Sequence, residues 1–217
     1  MKKYFEAILI FIIPFFSYGQ FEIENDSLSS QLVFKEIEPP NLDSLKFEIR
    51  IWRCPSTLYK TFTQLTISNN NIWNYSRGFL DENGNVIEVP GLNFQPDLND
   101  LWSTIDSLGI RTLPPLENIK LTIEKDNEFY TLSSEEYYKL LGTDGIGYQI
   151  ELFNKNSTRT YFYLNPQKFT SYNRESQNKW RIDEFHRLIK IIDKVDSTLN
   201  NHEVIDKNIK KWVMDNN

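Results

Sequence analysis

Cysteine and histidine are scarce in this sequence. Its 217 residues include one cysteine, Cys54, and two histidines, His186 and His202. A single cysteine forms no disulfide within the chain, so we expect the fold to be stabilised by packing. Zinc shells built from four cysteine or histidine ligands need more of these residues than the chain contains. We therefore expect no structural metal and no cofactor, and we expect Cys54 to be a small buried side chain.

Long hydrophobic runs are also missing. The longest extends from Ala7 to Phe16, and its ten residues fall short of the roughly 20 that a membrane-spanning helix requires. A positively charged start precedes this run and small residues follow it, which is the order of a secretory signal peptide over residues 1–19. Gln20 stands where a lipoprotein would carry a cysteine. We therefore expect an exported chain whose mature part has no membrane anchor.

Basic side chains are outnumbered by acidic ones. The chain has 24 lysines and arginines against 30 aspartates and glutamates, a formal net charge of −6. Loss of residues 1–19 removes two basic residues and one acidic residue, so the mature chain carries a net charge of about −7. Nucleic acids require a basic patch, because their phosphates are negatively charged. We therefore expect no nucleic-acid partner.

The sequence has no strong catalytic signature. It contains no G-x-S-x-G element, so a nucleophile elbow of the α/β-hydrolase type has no support. Asp183 and His186 are three residues apart on a predicted helix, a spacing that suits a general base. His186 also borders the apolar stripe of that helix, where a ring simply bridges core and water. Carboxylates are abundant, but no pair stands out as the two acids of a glycosidase. The pattern leaves catalysis open and favours a protein that is not an enzyme.

The hydrophobic patterns predict an α+β fold. Antiparallel hairpins form a meandering sheet, and two main amphipathic helices pack on it. The chain divides into a signal peptide (1–19), a lead-in segment (20–45), the α+β domain (46–199) and a C-terminal tail (200–217). The helical spacing of apolar residues in the tail favours a short docked helix over a frayed end.

Alternating apolar and polar residues predict the strands of this sheet. They are a strand at 46–53, a hairpin of Thr61 to Ile67 with Ile72 to Tyr75, a returning strand at Val86 to Val89, and a second hairpin of Tyr148 to Phe153 with Arg159 to Leu164. The alternation in the second hairpin also predicts the side chains that face the core, which are Tyr148, Ile150, Leu152, Phe162 and Leu164.

Capping residues mark the helices. Asp97 suits the N-cap of a helix over Leu98 to Leu108, and Gly109 suits the left-handed residue that ends it. Capping-box spacing predicts a smaller helix at 134–141. An apolar stripe predicts the longest helix over Lys179 to Asp196. The apolar face of this helix must pack against a sheet.

Aromatic residues are more numerous than one core requires. The chain has five tryptophans and eleven tyrosines. The alternation places Trp52 beside charged residues on the polar face of its strand, and it places Tyr161 and Tyr163 beside Arg159. Exposed rings next to polar groups stack on sugars or anchor a protein partner. We therefore predict a ligand-binding surface of Trp52, Arg159, Tyr161 and Tyr163. The alternative is that the N-terminal segment or the C-terminal tail covers these rings.

Export, the lack of catalytic signatures and the surplus of aromatic residues favour an interaction module. We expect a non-enzymatic periplasmic or secreted protein whose partner is an envelope protein or a glycan. Two alternatives stay open. One is an envelope hydrolase that uses carboxylates and His186 on glycan or peptide. The other is an immunity or inhibitor protein whose acidic face blocks a basic partner.

Asp-Ser-Leu triplets occur at Asp26, Asp43 and Asp106. They look like the O-glycosylation sites of exported Bacteroidetes proteins, and a leader cleaved before glutamine is similar to exports of that group. The resemblance implies an address in a Gram-negative envelope or outside the cell. Asp106 falls within a predicted helix, so the resemblance implies modification only at Asp26 and Asp43.

We expect signal peptidase to cleave between Gly19 and Gln20. N-terminal sequencing and intact-mass measurement of protein recovered from the periplasm or the medium should show a chain that begins at Gln20. A cytosolic protein that retains residues 1–19 would contradict the expected export.

Overall fold

A computed structural model describes most of the chain between residues 37 and 216. The described residues are 37–55, 59–91, 95–141, 145–170, 179–180 and 182–216. The predicted signal peptide, most of the lead-in segment and Asp26 lie outside these ranges.

Two antiparallel sheets form within the described residues. Their strands are β1 (Leu45–Pro55), β2 (Thr61–Ser68), β3 (Trp73–Leu80), β4 (Val86–Glu88), β5 (Thr122–Lys125), β6 (Glu128–Thr131), β7 (Ile146–Asn154), β8 (Thr158–Leu164) and β9 (Lys179–Trp180). The larger sheet has six strands in the order β4-β3-β2-β1-β7-β8, and the smaller sheet has three in the order β6-β5-β9. Short hairpins join most neighbours, as antiparallel pairing allows.

Helices cover one face of the larger sheet. They are α1 (Leu98–Ser107), α2 (Ser134–Leu141), α3 (Asp183–Leu199) and α4 (Asn201–Asn216), with 3-10 turns at Leu116–Asn118 and Pro166–Phe169. Helix α3 contacts α1 and α4, and α4 also contacts β3. The predicted α+β class is confirmed, and the C-terminal tail adds a further long helix. None of the helices in the described ranges is long and apolar enough to cross a membrane.

Strand β1 lies at the centre of the larger sheet, hydrogen bonded to β2 on one side and to β7 on the other. Phe47, Ile49 and Ile51 point to the helix-covered face, where they are at most 7% exposed. They join a core of aliphatic and aromatic side chains from β2, β7, β8, α1 and α3. The alternation that predicts a strand at 46–53 is confirmed, with one residue added at its start and two at its end.

Helix α1 begins and ends where its capping residues predict. Asp97 has extended backbone angles, and its carboxylate accepts a hydrogen bond from the Asp100 N–H (2.9 Å). Gly109 has a φ of +81°, the left-handed conformation that glycine adopts without strain. The Ile110 N–H then reaches back to the carbonyl of Ile105 (3.2 Å). Both ends of the helix are thus closed by hydrogen bonds.

Arg77 of β3 holds the end of α3 against the sheet. The residue is 1% exposed. Its guanidinium donates to the carbonyl of Leu199, the last residue of α3, and to the carbonyl of Pro90 (3.1 Å). Burial lowers the pKa of Arg77, and the negative end of the α3 dipole partly offsets this cost. Asn200, with a φ of +47°, then reverses the chain into α4.

Strand β8 presents to the core the face opposite to the one predicted. Its register with β7 places Tyr161 opposite Ile150 and Tyr163 opposite Tyr148, so both tyrosines point into the core. Phe162 lies on the other face of the sheet and is half-buried. The prediction that Phe162 faces the core is therefore wrong. A strand with bulky residues on both faces has no single apolar side, so its orientation is decided by pairing with its neighbour.

The sequence patterns above do not predict the smaller sheet. Strands β5 and β6 form a hairpin whose two-residue turn, Asp126-Asn127, has positive φ at both positions (54° and 65°). These are the angles of a type I′ turn, whose twist matches that of a hairpin. Strand β9 pairs with β5 at Ile123 and Glu124. Strands β5 and β6 have four residues each, too few to show a clear period of two, so the alternation missed them. The prediction that the longest helix begins at Lys179 is wrong, because Lys179–Trp180 form β9 and the helix extends from Asp183 to Leu199.

Ile105 of α1 is fully buried in the core. We expect Ile105→Ala to lower the free energy of unfolding by about 2–5 kcal/mol, because it removes buried carbons and leaves a cavity. Ser103→Ala, on the exposed side of the same helix, is the matched control and should change it by less than about 0.5 kcal/mol. Urea unfolding followed by circular dichroism measures both. Equal, small effects would show that α1 presents a different face to the sheet.

Candidate functional site

Three of the four residues predicted to bind a ligand lie beneath a loop. Arg159, Tyr161 and Tyr163 of β8 are at most 3% exposed. Arg159 donates to two carbonyls of the loop at residues 111–114 (3.0 and 3.1 Å), and the Tyr161 hydroxyl donates to one of them (3.2 Å). The Tyr163 hydroxyl also donates to a carbonyl of this loop. These contacts fasten the connection that follows α1 to the edge of the sheet.

Trp52, the fourth predicted residue, lies on the opposite face of the sheet and is also fully buried. Its ring packs against Phe62, with the centroids 5.3 Å apart. The indole N–H donates to a carboxylate oxygen of Glu151 (3.1 Å), and Gln149 donates to the other (2.8 Å). Cys54 packs beside this cluster and is only partly buried, so the expectation of a buried thiol holds in part.

A buried ion pair accompanies Trp52 on this face. The Arg50 Nε donates to a carboxylate oxygen of Glu48 (2.6 Å), and its Nη1 lies 4.0 Å from Glu151. The remaining donors of Arg50 reach the carbonyls of Ile37 (3.2 Å) and Glu38 (2.6 Å). Residues 37–38 therefore lie over the charged face of β1. They help to cover the side chains that the alternation places on a polar surface.

The expectation that these four residues form an exposed surface is wrong. The structure brings Arg159, Tyr161 and Tyr163 together on the core face and leaves Trp52 on the other. On the Trp52 face, Ile37 of the lead-in segment packs against the cluster, which agrees with the alternative of N-terminal cover for that residue alone, whereas the 111–114 loop over β8 was not expected. Binding of a ligand by these residues stays a prediction, now without the exposure that motivated it.

The two histidines have different surroundings. No hydrogen bond or ion pair joins His186 to Asp183 in the described part of the chain. His202, at the start of α4, has its Nε2 3.1 Å from a carboxylate oxygen of Asp196. Arg53 contacts the same carboxylate and lies 2.9 and 3.1 Å from the two ring nitrogens. These contacts join β1, α3 and α4.

Strand β6 exposes two aromatic side chains. Phe129 is 67% exposed and Tyr130 is 46% exposed, and they point to opposite faces of a strand that is exposed along its whole length. The Tyr130 hydroxyl donates to Glu128 (2.6 Å), and this hydrogen bond raises the pKa of Tyr130. Large rings exposed on both faces of one short strand are the feature expected of a contact surface.

The outer edge of β6 is open. Its inner side pairs with β5, from Thr122 opposite Thr131 to Lys125 opposite Glu128. Its outer side pairs with no other strand in the ranges that the structure describes. An unpaired edge presents N–H and C=O groups at the spacing of a strand, so a second chain can extend the sheet there.

The hairpin is strongly acidic. From Thr122 to Glu136 the chain has five carboxylates and one lysine, a local net charge of −4. Hydrogen bonds from the backbone and side chain of Ser133 lower the pKa of Glu136, which keeps it ionised. A concentrated negative charge beside exposed rings favours a partner of positive charge.

No protein-family model, curated protein or solved structure matches this chain. The described residues contain no group of three or more histidine, cysteine, aspartate or glutamate side chains placed to hold a metal ion.

Burial raises the pKa of Tyr163 and of Tyr148 above the ordinary value for tyrosine. Both phenols stay neutral in the folded chain at a pH where the same groups ionise in the unfolded chain. Their contribution to the free energy of unfolding is therefore fully present below about pH 10 and declines as the pH rises above it. Urea unfolding at a series of alkaline pH values should show this decline in the free energy of unfolding. Tyr163→Phe should make the decline shallower, because one such phenol is removed. If the free energy of unfolding declines with pH as steeply in Tyr163→Phe as in the wild type, the pKa of Tyr163 is not raised by burial.

Proposed function

We propose that the mature chain is an exported, non-enzymatic interaction module that binds a protein partner through the β5–β6 hairpin. The main support is that β6 has an open edge among the described residues and exposes Phe129 and Tyr130 on its two faces. The signal-peptide pattern supports a periplasmic or extracellular location.

The hairpin is suited to binding because it is already formed. The Asp126-Asn127 turn sets its twist, β9 pairs with the far side of β5, and the Leu132 N–H donates to the Leu121 carbonyl (2.8 Å) just beyond the paired residues. A preformed strand loses little conformational entropy when a second chain pairs with it. Backbone hydrogen bonds along the open edge supply affinity, and the rings of Phe129 and Tyr130 supply contact area on either face.

The partner is a basic segment in extended conformation. Its lysines or arginines face the carboxylates of Glu124, Asp126 and Glu128, and its apolar residues cover the rings. The same acidic hairpin supports the narrower alternative of an inhibitor or immunity protein, which would block a basic site on its target.

Site-specific photo-crosslinking tests the proposal in the cells that make the protein. Benzoylphenylalanine is placed at Phe129, and in a matched control at Met214, which is 73% exposed on α4. We expect a discrete adduct from position 129 and none from position 214. Peptide mapping of the adduct should locate the crosslink in a basic segment of the partner.

Two further variants test whether the charge of the hairpin contributes to binding. Glu128→Lys reverses one charge on the exposed strand and should weaken the adduct at position 129 by about tenfold or more, the effect of roughly 1.4 kcal/mol. Met214→Ser, which alters another exposed apolar residue, should leave it unchanged. Adducts from position 214 alone, or from neither position, would exclude the hairpin as the binding site.

A further inference from the structure

An open groove lies between the β2–β3 turn and the start of α1. Its volume is about 470 Å³, which falls in the range of small-molecule sites. Half of its eight lining residues are apolar, Trp73 and Ile72 among them, and the others are one carboxylate, Asp97, and three amides, Asn71, Gln95 and Asn99.

Side-chain amides of the groove have unused hydrogen-bonding capacity. The Asn71 Oδ1 accepts from Lys46 (2.6 Å), and this bond leaves the Asn71 amide NH₂ as a donor. The side chains of Gln95 and Asn99 make no hydrogen bond within the described part of the chain. Each amide offers a donor and an acceptor, which is the combination that matches a hydroxyl group.

An indole forms the apolar part of the groove. Trp73 is half-buried, and its ring lies 5.5 Å from the ring of Trp102, which holds it in place. Ile72 beside it is 58% exposed. A fixed aromatic ring next to amides suits a ligand that has both an apolar face and polar edges.

The charges around the groove disfavour an anion. None of the residues that line it is basic, and Lys46, which contacts the lining, is bound to Asn71. The Asp97 carboxylate accepts from the Asp100 N–H at the start of α1 (2.9 Å), which places negative charge at the point where an anion would bind.

We infer that this groove binds a neutral saccharide. The C–H face of a pyranose ring packs on the Trp73 indole, and its hydroxyls pair with the amides of Asn71, Gln95 and Asn99. This inference is independent of the proposed hairpin site, which serves a protein partner. It assigns to the chain a second ligand of a different chemical class.

Isothermal titration of the mature protein with cellotetraose, chitotetraose and mannotetraose tests the inference. We expect at least one of them to bind with a Kd of about 1 mM or tighter. Gln95→Ala and Asn99→Ala should each weaken that binding by about tenfold, the effect of a lost hydrogen bond in a small site. Asn83→Ala, which removes an exposed amide from the β3–β4 turn, is the control and should leave it unchanged.

Two further measurements complete the test. A variant with Phe129→Ser in β6 should bind the saccharide as the wild type does, so failure of the hairpin proposal and failure of this one are distinguishable. Absence of binding to all three oligosaccharides overturns the inference. Binding that survives both Gln95→Ala and Asn99→Ala, or tighter binding of inorganic phosphate than of any neutral sugar, also overturns it.

Discussion

The larger sheet depends on the burial of β1 on both of its faces. One face is apolar and packs against the helices. The other carries Glu48, Arg50 and Trp52, each at most 1% exposed. An ion pair in such a place is tolerated only when its remaining donors find partners, because an uncompensated buried charge costs several kcal/mol. The carbonyls of residues 37–38 supply those partners, so these two residues are a structural part of the fold.

Buried arginines repeat this arrangement elsewhere. Arg50, Arg77 and Arg159 are each at most 3% exposed, and each donates to carbonyls of a segment outside the sheet. The segments differ: one precedes β1, one is the end of α3, and one is the loop after α1. A guanidinium has five donors in a fixed plane, so a single side chain satisfies several carbonyls that have no strand or helix partner. These three contacts explain how irregular stretches of chain remain attached to a regular sheet.

Two surfaces of the described residues differ in shape and chemistry. The β5–β6 hairpin combines an open edge, exposed rings and negative charge, which suits a basic polypeptide. The groove at Trp73 combines amides with an indole and lacks basic residues, which suits a neutral polar ligand. The two proposed binding surfaces therefore lie on different elements, and each can be altered without the other.

Local patterns in the sequence determined the α+β class, most strands of the larger sheet and both ends of α1, because period and capping involve residues a few positions apart. The candidate sites were not predictable in this way. Alternation places Trp52 and Tyr161 on a strand face, but only the folded chain shows that other segments cover them. Asp196 and His202 contact each other across the break between α3 and α4. Phe129 is exposed because no described segment of the chain packs over its ring. Local propensity acts through neighbours in the chain, whereas cover and exposure depend on residues far apart in sequence, so only the tertiary structure decided them.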